Sequence, residues 1–340
     1  MATGLLEVTG SVQLDQFWPV GTSDADTTKV LLHVDERSFR FRPHAAAEAR
    51  TTRAFEDAVV IGRAGRRPAI RNGVVVIRLQ GIDAPELHYR PASARRPKDR
   101  TARQNELYLE WNHEYRQPLA ESGTFALASQ LADAGPGFAR CVVRTAVDTP
   151  GQVFDTYGRL VGDLHVDFGS GLIDVNRWLI QSGWAVPALY SSMGADEIRA
   201  LLAAAETPMS VRLGVWKYLA ASGARFDWNR RYRGRGAVPD RSADTGAILV
   251  PKLFRRQSAW AVNRRAGMVS GTFASYLAAR PEGCYATEQF LEQGPEASEH
   301  RRLDELVASD GTVGFGPGDV VFQEAAALLR GPGGGEVDWW

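Results

Sequence analysis

At 340 residues with 44% hydrophobic side chains, the chain can bury a sizeable core and is long enough for two domains. Forty basic residues against forty acidic ones exclude a strong overall field for a polyanion, so any nucleic-acid binding must come from local patches. Two distant cysteines, Cys141 and Cys284, exclude a disulfide framework and a cysteine-built zinc cluster. The first residues lack the basic start and apolar run of a secretory signal, and no stretch approaches the roughly 20 apolar residues of a membrane span. The expected location is therefore cytoplasmic, with no membrane partner.

In chain order, residues 5–14 and 29–34 read as short strands on either side of the Gly-Thr-Ser-Asp-Ala-Asp-Thr-Thr loop at 21–28. The β-branched run 72–79, bounded by Gly73 and Gly81, reads as a buried strand. A helix is expected from about Pro118 to a stop at Gly135, then strands at 138–147 and 159–166 around a loop with Pro150, Gly151 and Tyr157. Helices follow at 173–183 and 195–206, with a short piece reaching Trp216. Short strands with helices in the second half indicate an α+β fold, a small barrel with helices packed on it.

After Trp216 the composition changes. Residues 219–247, rich in Arg and Gly, read as a linker, 248–331 as a small, mainly helical accessory domain able to recruit a protein partner, and 332–340 as a flexible tail. Two runs of arginine stand out. One holds Arg90, Arg95, Arg96, Lys98, Arg100 and Arg103; the other holds Arg225, Arg230, Arg231, Arg233 and Arg235, with Phe226, Trp228 and Tyr232 between them. Each is either a solvated loop or a nucleic-acid groove.

Chemistry concentrates at three places: Asp26 in the acidic loop; Arg78, Asp83 and Glu86 in Ile-Arg-Leu-Gln-Gly-Ile-Asp-Ala-Pro-Glu-Leu; and Arg159 in Asp-Thr-Tyr-Gly-Arg. Carboxylates can hold a hard cation and handle water, and guanidinium forks can bind non-bridging phosphate oxygens. A lone Asp-x-Asp is more often a turn than a metal site, and Arg78, ending a buried strand, needs a partner that is either a structural carboxylate or a phosphate. His88 shows no ligand spacing with the other histidines.

Taken in order, these residues resemble the staphylococcal nuclease (thermonuclease) family. Asp24 to Thr27 is similar to the family's acidic loop, Arg78 and Asp83 keep its five-residue offset, Ala84-Pro85-Glu86 follows, and Asp155 to Arg159 completes the set. Val175-Asn176 and Gly183-Trp184-Ala185 match downstream features, so the resemblance covers about residues 5–218. It implies a five-stranded OB-fold barrel with packed helices and a Ca²⁺-dependent nuclease acting on DNA, RNA or both, leaving 5′-hydroxyl and 3′-phosphate ends. Asp26, Asp83 and the backbone carbonyl of Ala84 would hold one divalent cation. Glu86 would handle the attacking water, Arg78 and Arg159 would clamp the phosphate, and Tyr157 would touch a neighbouring phosphate. Two insertions, at about 36–71 and 88–117, depart from the prototype and begin beside the site. The alternative is a catalytically silent OB module that binds nucleic acid or a partner.

Overall fold

The computed structural model describes residues 4–13, 24–33, 38–44, 46, 48–63, 65–91, 97–135, 137–234, 239–324 and 327–340. Gly21, Thr22 and Ser23 of the acidic loop, and Arg95, Arg96 and Arg235 of the basic runs, lie outside the described residues.

Five strands alternate buried and more exposed residues, the period-2 pattern that puts one face of each on a common core. They are β1 (Gly4–Gln13), β2 (Thr27–Leu32), β3 (Val74–Leu79), β4 (Phe138–Val147) and β5 (Leu160–Asp167). β1 pairs antiparallel with β2 and, along its whole length, with β4; β2 pairs antiparallel with β3. β5 then lies between β3, to which it is parallel, and β4, to which it is antiparallel. That last strand closes the sheet into a five-stranded barrel, the OB architecture expected. The interior holds Leu6, Val8, Val30, Val75, Ile77, Val143, Leu164 and Val166, all essentially sealed from solvent. Cys141 joins this core, where burial pushes its thiol up to about 12 and leaves it inert.

Helices α1 (Ala102–Trp111), α2 (Ala120–Ala132), α3 (Val175–Gln181) and α4 (Ala195–Ser210) follow. Leu127 and Leu131 of α2, Leu179 and Ile180 of α3, and Ile198 and Leu201 of α4 extend the barrel core. One side chain pins α3 to the barrel. Asn176, 1% exposed, accepts from the Leu164 amide at 3.0 Å and donates to the Gln80 carbonyl and to Asp163 Oδ1, both at 2.9 Å.

The C-terminal unit comprises α5 (Pro251–Arg265), α6 (Phe273–Ala278) and α7 (Thr287–Gln293) with a small sheet. Residues 320–322, inside the stretch expected to be mainly helical, form a strand instead. They pair with Leu189–Tyr190 of the barrel domain on one side and Gly283–Ala286 on the other. Val320 to Phe322 are a β-branched and aromatic run buried on both faces, and cross-domain pairing outweighs the helix propensity of the alanines that follow. Residues Leu328–Arg330 pair with Val59–Gly62 in the first insertion. Trp339, in the segment expected to be a flexible tail, stacks on Phe41 at 3.8 Å and donates its indole N–H to the Asp148 carbonyl at 2.9 Å. The second insertion is shared between the two units, since Tyr108 and Tyr115 join the C-terminal core. Among the described residues, no helix is long and apolar enough to cross a membrane.

Replacing Asn176 by Ala orphans a buried amide and carbonyl, and urea unfolding should show a loss of roughly 2–3 kcal/mol. Burial pushes the Asp163 carboxyl up to about 8 from its ordinary 3.8, with Glu197 and Asp174 adding to the shift. The folded state therefore holds that proton more tightly than the unfolded chain. Its contribution to stability is complete below the unfolded pKa and is lost as pH rises through about 8. Asp163→Asn should flatten the fall in thermal midpoint across this window and leave the protein more stable at the alkaline end.

Candidate active site

Strand register gathers the charged residues. Thr27 of β2 sits opposite Arg78 of β3, and Arg78 lies beside Val161 of β5, two residues beyond Arg159. Asp26 immediately precedes β2, so the three elements converge at one end of the barrel.

The acidic loop grips the segment that follows β3. Asp26 Oδ2 accepts from the Ala84 amide at 2.8 Å, and Asp24 Oδ1 accepts from the Leu87 amide at 2.6 Å. Gly81 makes the turn into that segment. Its φ is +70°, and a Cβ there would lie 2.3 Å from Leu201 Cδ1, so neither the backbone nor the space admits a larger residue. The short strand Ile82–Asp83 then pairs with Val186–Pro187.

Asp26, Arg78, Asp83 and Glu86 are all at least 92% buried, with 4%, 8%, 1% and 5% exposed. Arg78 is salt-bridged through Nη1 to Asp26 Oδ2 and through Nη2 to Asp83 Oδ1, and Nη2 also donates to the Ile82 carbonyl at 2.9 Å. Burial alone would lower the Arg78 pKa, but the two carboxylates hold it well above its ordinary value. Burial likewise works against the Asp26 carboxylate, yet Arg78 and the Ala84 amide keep its pKa below the usual range. Asp24, half-buried beside the Asp26 charge, is pushed up to about 7.

Arg159 is partly exposed. Its Nε donates to Asp155 Oδ2 at 2.8 Å and its Nη1 to Thr27 Oγ1 at 3.2 Å, while that hydroxyl donates to Asp26 Oδ1 at 3.2 Å. Asp155 Oδ1 accepts from the amides of Tyr157 and Arg159, both at 2.9 Å, which shapes the hairpin before β5. Tyr157 is 46% exposed with Arg159 over its ring at 5.6 Å. The first insertion abuts this hairpin: a Cβ on Gly62 would lie 2.2 Å from the Thr156 carbonyl oxygen, and one on Gly158 would lie 2.5 Å from Arg67 Cδ.

Sequence reasoning missed two residues here. Arg255, on α5, is salt-bridged through Nη1 to Glu86 Oε1 and lies with Nη2 3.5 Å from Asp83 Oδ2. Gln117 accepts from the Glu86 amide at 3.1 Å, and its own amide donates to the Glu86 carbonyl at 2.8 Å. Burial pushes Glu86 up to about 8, against the pull of Arg255. In sequence, Arg255 is one arginine of a basic helix, and nothing local separates it from Arg256.

Asp26 and Asp83 are hard oxygen donors of the kind a divalent cation needs, and Glu86 lies beside them. Among the described residues, however, no group of three or more His, Cys, Asp or Glu side chains is gathered so as to hold a metal ion. Oxygens of all three carboxylates face guanidinium groups. Arg78 takes one oxygen of Asp26 and one of Asp83, while the other oxygens face the Thr27 hydroxyl and Arg255.

Residues 76–218 match the family model described as Staphylococcal nuclease homologue. No curated protein matched the chain. The matched span begins inside β3 and leaves out Asp26, β1 and β2, which the barrel nevertheless requires for closure.

Removing Arg78 leaves Asp26 and Asp83 buried without their principal cation. Arg78→Met should therefore lose roughly 3–5 kcal/mol in a denaturant titration, far more than substitution of an exposed arginine.

Proposed function

Since residues 76–218 form a domain of the staphylococcal nuclease family, we propose that the chain is a nuclease that hydrolyses phosphodiester bonds of DNA, RNA or both. The observation that supports this best is the convergence of Asp26, Arg78, Asp83, Glu86 and Arg159, from three separate stretches of the sequence, at one end of the barrel.

In this reading Asp26, Asp83 and the backbone carbonyl of Ala84 would hold one Ca²⁺, which would supply positive charge to offset that of the phosphate. Arg78 and Arg159 take the non-bridging oxygens and stabilise the added negative charge of the transition state. Glu86 accepts the proton of the attacking water as its oxygen bonds to phosphorus. The bond from phosphorus to the 5′ oxygen breaks, and that oxygen takes up a proton, leaving 5′-hydroxyl and 3′-phosphate ends. Tyr157, on the exposed hairpin beside Arg159, contacts a neighbouring phosphate.

One observation favours a second reading. The guanidinium of Arg78 joins Asp26 and Asp83, and that of Arg255 joins Asp83 and Glu86, an arrangement that also suits a structural ion cluster in a non-catalytic binding module.

Incubating the full chain with single-stranded DNA, plasmid and RNA, in Ca²⁺, Mg²⁺ or EDTA, separates the two. The nuclease reading expects Ca²⁺-dependent cleavage leaving 3′-phosphates. Asp83→Asn, which keeps the side-chain shape, and Arg159→Ala should each lower the rate by about 10²–10³-fold. Binding of all three substrates with cleavage of none would favour the module.

A further inference from the structure

We propose that the C-terminal unit supplies part of the active site: Arg255 is a positioning residue that holds the Glu86 carboxylate in place for its work on water. The proposal rests on the nuclease reading above.

The sequence of contacts leading to Arg255 is continuous. Ile248 is tied to the barrel domain on both sides, its amide donating to the Tyr218 carbonyl and its carbonyl accepting from the Ala220 amide, each at 2.7 Å. Gln117 donates its side-chain amide to the Leu249 carbonyl at 2.6 Å while holding the Glu86 backbone through the two bonds given above. One glutamine thus ties the base of α5 and the backbone of Glu86 together. Pro251 opens the helix, and Leu253, Phe254, Gln257, Ser258 and Trp260 are buried along it, so α5 cannot turn about its axis without breaking its core.

Adjacent helical residues project about 100° apart, which separates the roles of the helix's cations. Lys252 and Arg256 pair with Glu282 inside the C-terminal unit, with Lys252 Nζ at 3.2 Å and Arg256 Nε at 2.5 Å from its two carboxylate oxygens. Arg255, about 100° round the helix from Arg256, crosses instead to Glu86 and Asp83. A buried carboxylate needs a partner to remain charged, and the Arg255 guanidinium, bonded to one oxygen of Glu86, restrains where that group sits. Arg78 holds one oxygen of Asp83 and Arg255 lies near the other, so the two guanidiniums bracket the carboxylates from opposite units.

The test uses the full chain carrying Arg255→Met, Arg255→Lys, Glu86→Gln, or Arg255→Met with Glu86→Gln. Three quantities are read: kcat and KM on a fluorogenic single-stranded DNA with Ca²⁺, affinity for the same oligonucleotide in EDTA by anisotropy, and the thermal midpoint. Arg255→Met should lower kcat by roughly a hundredfold, with KM and affinity within about twofold, and Arg255→Lys should recover much of the loss. In the Glu86→Gln background, Arg255→Met should cost nothing further, because its effect passes through the carboxylate. Cleavage by Arg255→Met at the unchanged rate or faster would overturn the proposal; so would a loss that is undiminished when Glu86 is already Gln, or tenfold weaker binding in EDTA. An unaltered chain that cleaves nothing overturns the nuclease reading and this proposal with it, and that control distinguishes the two failures.

Discussion

A guanidinium sealed inside a protein demands negative partners, and much of this site is arranged around that demand at Arg78. β2 must deliver Asp26 to one side of it, and the turn at Gly81 must deliver Asp83 to the other. The register of β2 on β3 is therefore an electrostatic requirement as well as a hydrophobic one. A slip by one residue would turn Arg78 to the opposite face of the sheet and leave two buried carboxylates without their cation. The same cluster that makes this end of the barrel costly to assemble is the one proposed to bind a phosphate. Stability and chemistry thus draw on the same few atoms.

The C-terminal unit is not an appendage to this barrel. It adds strands to the sheet at Leu189–Tyr190, closes on the first insertion through residues Leu328–Arg330, shares its core with the second insertion, and stacks Trp339 on Phe41 near β1. Both insertions find their partners there, which explains how loops of such length can be held close to the candidate site. Arg255 follows from the same packing, since a helix buried along most of its length has few directions left for a long cation.

Much of the barrel was legible in the sequence because its cause is local. Alternation of apolar residues along 138–147 and 159–166, and the β-branched run at 72–79, mark strands whatever surrounds them. The Gly81 turn and the fixed offset from Arg78 to Asp83 are likewise short-range, and they place Asp83 wherever Arg78 goes. The strand at 320–322 has no such local mark, because its partners, Leu189–Tyr190 and Gly283–Ala286, lie far away in the chain, and pairing with them overrides helix-forming neighbours. The aromatic end of the chain reads as a polar, glycine-rich tail until Phe41 is known to lie beneath it.

The sequence by itself determined the barrel strands, the acidic loop and the residue types of the site, since each depends on spacing within a few residues. Only the tertiary structure decided which charges neutralise which. Arg255 reaches Glu86 across 169 positions of chain, Gln117 joins Glu86 to Leu249, and the two units share one charged cluster. Ion pairing depends on distance in space, and a basic helix carries no local mark of which arginine will face a distant carboxylate.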